Sequence, residues 1–294
     1  MNKIIIFTLV CNTVSLVYAS EHSCIEFSKK IGIFSDVNER NRYEDRSFCT
    51  TIKGGDLDGS ELYAVYDGHF CHRINNQDDD SNDGSVIAQF LVDQFPIYLS
   101  KTSGTMKERM VAACKNIDND EFVKKHKDCG ATAAIVLITK NNHKRVACCA
   151  HVGDPRIVLE KNGKVDFATN DQVPTRADEY IRIKAKGIVF NNRVNGFLSV
   201  SRAFGDYVLD SDKKIILVEP DYEEIELTPE HTFLVLATNG LWRMVSSEEA
   251  VSILNAQRES VKDLNELAKM VGMFAKTRNS GDNITVLLVK LRSI

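Results

Sequence analysis

Apolar positions along this chain follow two rhythms. Alternating or continuous apolar runs at 63–66, 130–138, 145–152, 157–159, 232–237 and 284–289 predict strands. Helical spacing appears at 85–95, with Ser85 as the expected cap, and from about 107 to 124 through Met110, Val111, Cys114, Ile117 and Phe122. A short helix is expected at 180–185. Ser246-Ser247-Glu248-Glu249 reads as a capping box opening another, and a last one runs from about 261 to 276. Asn141-Asn142-His143 and Lys161-Asn162-Gly163-Lys164 turn strands back on their neighbours. The order is therefore β-rich, two helices, β-rich, two helices, β. Strand runs with no helix between them argue for antiparallel sheets with helices packed outside, an α+β layering rather than a parallel doubly wound sheet. With no linker and no internal repeat, one domain is expected.

The chemistry-bearing residues gather where these runs begin or end. Tyr63-Ala64-Val65-Tyr66 leads into Asp67-Gly68-His69, an acid able to bind a hard cation, a glycine that lets backbone come close, and a histidine able to move a proton. Asp-Gly is a common turn pair, so a single copy would read as a strand entering a turn. The pattern recurs, however. Gly153-Asp154-Pro155-Arg156 follows one strand, Ser280-Gly281-Asp282-Asn283 precedes another, and Glu44-Asp45 stands among Arg40, Arg42 and Arg46. The last group reads either as a solvated charge cluster or as further metal oxygens beside an arginine, whose guanidinium matches phosphate geometry. The acidic tract 75–84 is expected to be an exposed loop, without the spacing of an EF-hand.

Composition narrows the classes. The 294 residues are 43% hydrophobic and 27% charged with a formal net charge of -4, enough for a sizeable core and with no basic excess to suggest nucleic acid. Met1-Asn2-Lys3, an apolar run and Val17-Tyr18-Ala19 together read as a signal peptide over 1–19, cleaved after Ala19, which predicts a secreted protein. Cys11-Asn12-Thr13 interrupts that run, and no second apolar stretch approaches ~18 residues, so no membrane span is expected in the mature chain. Seven cysteines remain after the leader, an odd number, and no pairing is assigned. Cys148 and Cys149, adjacent on a strand, should face opposite sides, and no zinc spacing is present.

Taken in order, eight pieces resemble the PPM, or PP2C-like, family of metal-dependent protein phosphatases, which act on phosphoserine and phosphothreonine. They are Arg40 with Glu44-Asp45, Val65 to His69, Gly130-Ala131-Thr132-Ala133, His151 to Arg156, Asn195 to Asp206, Glu219-Pro220-Asp221, Asn239-Gly240-Leu241-Trp242 and Asp282-Asn283-Ile284-Thr285. The resemblance, from about 32 to 291, implies two antiparallel sheets sandwiched between helix pairs. It also implies two Mn2+ or Mg2+ ions sharing Asp67, one with Glu44 and the Gly68 carbonyl, the other with Asp282 and residue 239. Arg40 would clamp phosphate and His69 would protonate the leaving oxygen. Asp45 would support the cluster, Asp154 would belong to a looser third metal, and a flap at about 176–189 would help choose phosphoprotein substrates. A monomer is expected.

The departures bear on activity. The family pattern Asp-Gly-Leu-Trp-Asp is here Asn239-Gly240-Leu241-Trp242-Arg243, which removes two acids from one metal loop and adds a cation. Asparagine still offers a carbonyl oxygen. One reading is a phosphatase with reduced turnover, the other a pseudophosphatase that binds phosphoproteins without cleaving them. Asn239-Gly240 is also prone to deamidation, which would create an aspartate. Phe70-Cys71 replaces the usual glycine pair after the histidine, and tract 75–84 looks inserted. The sequon at Asn283 overlaps a metal loop and is expected to stay unmodified.

Overall fold

A computed structural model describes residues 8–10, 13–15, 29–70, 83–141, 143–212 and 214–291. Thr8–Val10 (β1) and Thr13–Ser15 (β2) pair as a short hairpin. The rest of the expected leader 1–19 lies outside the described residues, as do Cys24, Cys71 and most of the acidic tract.

The chain continues through strands β3 (Ile31–Asp36), β4 (Asp45–Thr51) and β5 (Glu61–Phe70), then helices α1 (Ser85–Ser100), α2 (Met106–Asp118) and α3 (Glu121–Lys125). Four strands follow: β6 (Cys129–Asn141), β7 (Lys144–Val152), β8 (Arg156–Lys161) and β9 (Lys164–Ala168). Next come α4 (Ala177–Lys184), the two-residue strands β10 (Val189–Phe190), β11 (Arg193–Val194) and β12 (Phe204–Gly205), and then β13 (Asp221–Leu227) and β14 (His231–Ala237). The short α5 (Asn239–Trp242), α6 (Ser247–Gln257), α7 (Leu264–Thr277) and β15 (Ile284–Lys290) complete it.

Two antiparallel sheets form the middle layers. One runs β13-β7-β6-β5-β4, with β12 added beside β6; the other runs β3-β15-β14-β8-β9. Alternation along β5 explains its unbroken apolar character. Leu62, Ala64 and Tyr66 face the helix pair α1–α2, whereas Tyr63 and Val65 face Leu234, Leu236 and Leu287 of the second sheet. On the far side Ala250, Leu254, Leu267 and Val271 of α6 and α7 cover the second sheet. The helix–sheet–sheet–helix sandwich matches the expectation. Cys148 lies on the helix side and Cys149 between the sheets, as strand alternation requires.

Local differences have local causes. Ser85 does not cap α1; Gly84 holds that position, and Asp83 Oδ1 accepts the Ser85 N–H at 2.8 Å. The helix expected over 107–124 is two, because Asp120 accepts the Phe122 N–H (2.8 Å) and starts α3 afresh, while Asp118 turns inward to accept the Gly205 N–H (2.8 Å). The capping box of Ser246 with Glu249 forms as expected, and a second one pairs Thr105 with Glu108. Strand β13, rich in exposed acids, is an edge strand with no apolar run to betray it. Among the described residues the five cysteines are buried free thiols, and no helix is long and apolar enough to cross a membrane.

Candidate active site

Ends of both sheets deliver acids to one cleft of about 340 Å³. Asp45 opens β4 and is paired across the ladder with Asp67 of β5. The strand β5 does not stop at this acid but runs on through His69 to Phe70, so Asp67 and Gly68 are fixed by pairing with Thr132 and Ala131 of β6. Asp154 stands between β7 and β8, Asn239 opens the turn after β14, and Asp282 precedes β15. Arg40, Glu44, Asp67, Gly68 and His69 line the cleft together with Asp154, Asn239 and Asp282. Asp45 alone of the expected residues lies behind it, 1% exposed, accepting hydrogen bonds from the Thr238 and Thr285 hydroxyls at 2.8 and 2.7 Å.

Crowded, desolvated carboxyls dominate the electrostatics. Burial first, then the charges of Asp45, Asp282 and Asp154, raise Asp67 well above the carboxylate range, with Arg243 pulling the other way. Burial likewise raises Glu44 and Asp154, and pushes Asp45 up to about 7. Asp154 Oδ1 and Asn239 Oδ1 are buried with no hydrogen-bond partner. Unneutralised buried acids and two unpartnered oxygens suit a hard divalent cation, and the all-oxygen donor set suits Mg2+ or Mn2+. Among the described residues no three His, Cys, Asp or Glu side chains close on one point as a cage.

Close backbone packing explains two glycines. A Cβ on Gly68 would lie 2.2 Å from the Gly84 carbonyl oxygen and 2.9 Å from that of Glu44; one on Gly240 would lie 1.9 Å from the Asn283 carbonyl oxygen. The Gly84 N–H donates to Glu44 Oε1 (2.9 Å), so the end of the acidic tract steadies a candidate ligand. Asn283 is buried, its Oδ1 accepting the Glu44 N–H (2.8 Å) and its Nδ2 donating to the Val37 and Arg42 carbonyls (both 2.9 Å). An amide so engaged has no room for a glycan.

His69 Nε2 lies 2.8 Å from Asp206 Oδ2, and Asp206 is wholly buried with a left-handed φ of 56°. Burial lowers the imidazole's pKa, but the charge and hydrogen bond of Asp206 outweigh it and the net shift is upward. With Nε2 committed to Asp206, Nδ1 is the ring atom left to serve the cleft. Arg40, half exposed at the rim, holds Asp282 Oδ1 at 3.0 Å and donates from Nε to the Gly281 carbonyl (3.2 Å).

Asp206 and Thr132 fall within the sequence motifs, but neither carries an expected role there. The Gly-Asp pair at 205–206, repeating the pattern of the other site loops, was the available signal. The expected flap, 176–189, packs through Ile183 and Val189 against Val194, Leu198 and Val200. Residues 176–189 contribute nothing to the cleft lining; Arg193 and Phe197 to Val200 form that wall. Helix α4 is instead pinned by buried Glu179, which accepts from Arg202 and Arg182, each at 2.5 Å.

Comparison with known proteins agrees with this architecture. Residues 34–284 match the family model for protein phosphatase 2C, and the chain belongs to that family of serine/threonine phosphatases. It is 32% identical over 270 residues to probable protein phosphatase 2C 59 of Arabidopsis thaliana, covering 89% of this chain and 79% of that one. It is also 32% identical over 253 residues to probable protein phosphatase 2C 52 of Oryza sativa subsp. japonica, covering 82% of this chain but only 47% of the relative. The chain thus spans about half the length of the rice protein. The crystal structure of serine-threonine phosphatase 2C from Toxoplasma gondii superimposes with a TM-score of 0.69 at 23% identity, covering 89% of this chain and 94% of that one, a likeness of fold.

Proposed function

We propose that this chain is an exported protein serine/threonine phosphatase that hydrolyses phosphoserine and phosphothreonine at a centre built for two divalent ions. The observation that carries the reading is the convergence of Asp67, Asp154, Glu44 and Asp282 on one cleft, with an arginine at its rim and a histidine–aspartate pair at its wall. Asp67, Glu44 and the Gly68 carbonyl would hold one Mn2+ or Mg2+; Asp282 and the Asn239 carbonyl oxygen would hold the other, and Asp154 a weaker third. When bound, such ions supply an acidified water as nucleophile and offset charge on the phosphoryl oxygens.

The protein's own residues do the rest. Arg40 exchanges Asp282 for the phosphate, offering paired N–H donors to two of its oxygens. His69, kept protonated by Asp206, gives its proton to the departing serine or threonine oxygen. Asp45 holds Thr238 and Thr285, and through them the starts of α5 and β15, in place.

The alternative reading, a phosphoprotein binder without turnover, draws on Arg243, which pairs with Asp282 and Asp154 where the family pattern has an acid. Phosphate release from a phosphothreonine peptide, followed with Mn2+, Mg2+ or EDTA, separates the two. Release that needs metal supports the enzyme; peptide capture without release at any metal concentration supports the binder. Export through the 1–19 leader is tested by N-terminal sequencing of secreted protein, which should begin at Ser20.

A further inference from the structure

We infer that Arg243 is a resident cation of this centre, standing in for much of one metal's charge, so that the chain holds one divalent ion firmly beside Asp67 and Glu44 and a second only weakly beside Asp282 and Asp154. The inference rests on the cation-centre reading above and goes beyond it in assigning unequal sites.

Arg243 follows α5 directly, its N–H donating to the Asn239 carbonyl at 3.0 Å, so the turn that presents Asn239 also aims this guanidinium. Nη1 lies 3.3 Å from Asp282 Oδ2 and Nη2 3.7 Å from Asp154 Oδ2, bridging two acids from separate segments. Arg40 takes the other oxygen of Asp282 at 3.0 Å. Both Asp282 oxygens therefore face guanidinium groups. Asp154 Oδ2 additionally accepts from Asn239 Nδ2 (3.1 Å), leaving only its Oδ1 unpartnered. On the opposite side the pairing differs: among the described residues neither Glu44 nor Asp67 forms an ion pair with a lysine or arginine.

Charge counting points the same way. Five carboxyls (Glu44, Asp45, Asp67, Asp154, Asp282) against Arg40 and Arg243 leave three formal negative charges. One divalent ion reduces these to one, whereas a second would overshoot to a net positive centre. With aspartates at 239 and 243 there would be seven carboxyls against one guanidinium, six negative charges, and two divalent ions would be accommodated.

The test is calorimetric titration of Mn2+ into the metal-stripped chain from Ser20 onward, comparing wild type, Arg243→Ala, Arg243→Gln and the double variant Asn239→Asp/Arg243→Asp. Arg243 is about half exposed, and a thermal melt on each variant confirms folding. Wild type should bind one Mn2+ per chain firmly and a second only weakly. Both single variants should show that second site tightened by roughly thirtyfold or more, the low end of Coulomb repulsion between a guanidinium and a divalent ion about 4 Å apart. The double variant should bind two ions firmly. Two ions of similar affinity in wild type, or a second site unmoved in both single variants, overturns the inference while leaving the phosphatase reading intact. No Mn2+ bound by any folded variant overturns that reading itself.

Discussion

Asp45 offers a physical test of the acid cluster that needs no substrate. Its carboxyl is buried and hydrogen-bonded to two threonines, yet burial, with the charges of Asp282 and Glu44 behind it, raises its pKa from 3.8 to about 7. An acid whose folded pKa exceeds its unfolded one favours folding least when ionised. Its penalty is absent below the unfolded value, grows as pH rises, and is complete above the folded value. From pH 5 to pH 8 the growing part spans about two pH units at about 1.4 kcal/mol each, so metal-free protein should lose roughly 3 kcal/mol through this group. Asp45→Asn keeps an oxygen to accept both threonine hydroxyls and removes the charge. The variant should therefore gain on wild type by roughly 3 kcal/mol between those pH values, or roughly 5–10 °C in melting temperature for a domain of this size. His151, lowered by burial, changes in the opposite sense but does so in both proteins and cancels in the difference. Urea denaturation in EDTA at the two pH values measures it. Parallel behaviour of variant and wild type, or a variant that is the weaker at pH 8, would refute the claim that Asp45 is held against its charge.

Further consequences follow from single contacts. Asp206→Asn, which tolerates the left-handed backbone, should lower kcat by about 10²–10³ and move the alkaline limb of the pH–rate profile to lower pH, since Asp206 is what raises His69; an unmoved limb would remove Asp206 from the reaction. Gly240→Ala forces a Cβ to within 1.9 Å of the Asn283 carbonyl oxygen and should cost about 1–3 kcal/mol in chemical denaturation; wild-type stability would contradict the packing described. Glu179→Gln leaves the largely buried Arg182 guanidinium without its charge partner and Arg202 with Asp221 alone. It should destabilise by about 3 kcal/mol, read by urea midpoint, with an unchanged midpoint counting against the ion cluster as the anchor of α4.

Much of the site was legible because each of its acids sits at a boundary between an apolar run and a glycine- or asparagine-bearing turn. Asp67, Asp154 and Asp282 announce themselves that way, and the layering follows from strand runs unbroken by helices. What was hidden depends on register. His69 and Asp206 are 137 positions apart and meet only because β12 adds to β6 opposite Gly130, the residue that also faces His69 across the β5–β6 ladder. The break between α2 and α3 was masked because apolar spacing continues through Phe122 while Asp120 caps a new turn. Strand β13 shows no apolar run because its edge position leaves Glu223, Glu224 and Glu226 in solvent. Which part of 176–200 lines the cleft depends on tertiary contacts, the small apolar cluster of Ile183, Val194, Leu198 and Val200 and the ion pairs of Glu179, that no local pattern displays.

The central claim, that the carboxylates around Asp67 form a catalytic cation centre, is tested most directly by phosphate release from a phosphothreonine peptide with Mn2+, comparing wild type with Asp67→Asn. Asp67 is buried among acids, so the substitution relieves repulsion and the variant should fold at least as stably as wild type in EDTA. Wild type should release phosphate only with metal, and release should fall by at least about 10³-fold in the folded variant. Undiminished release from Asp67→Asn would contradict it.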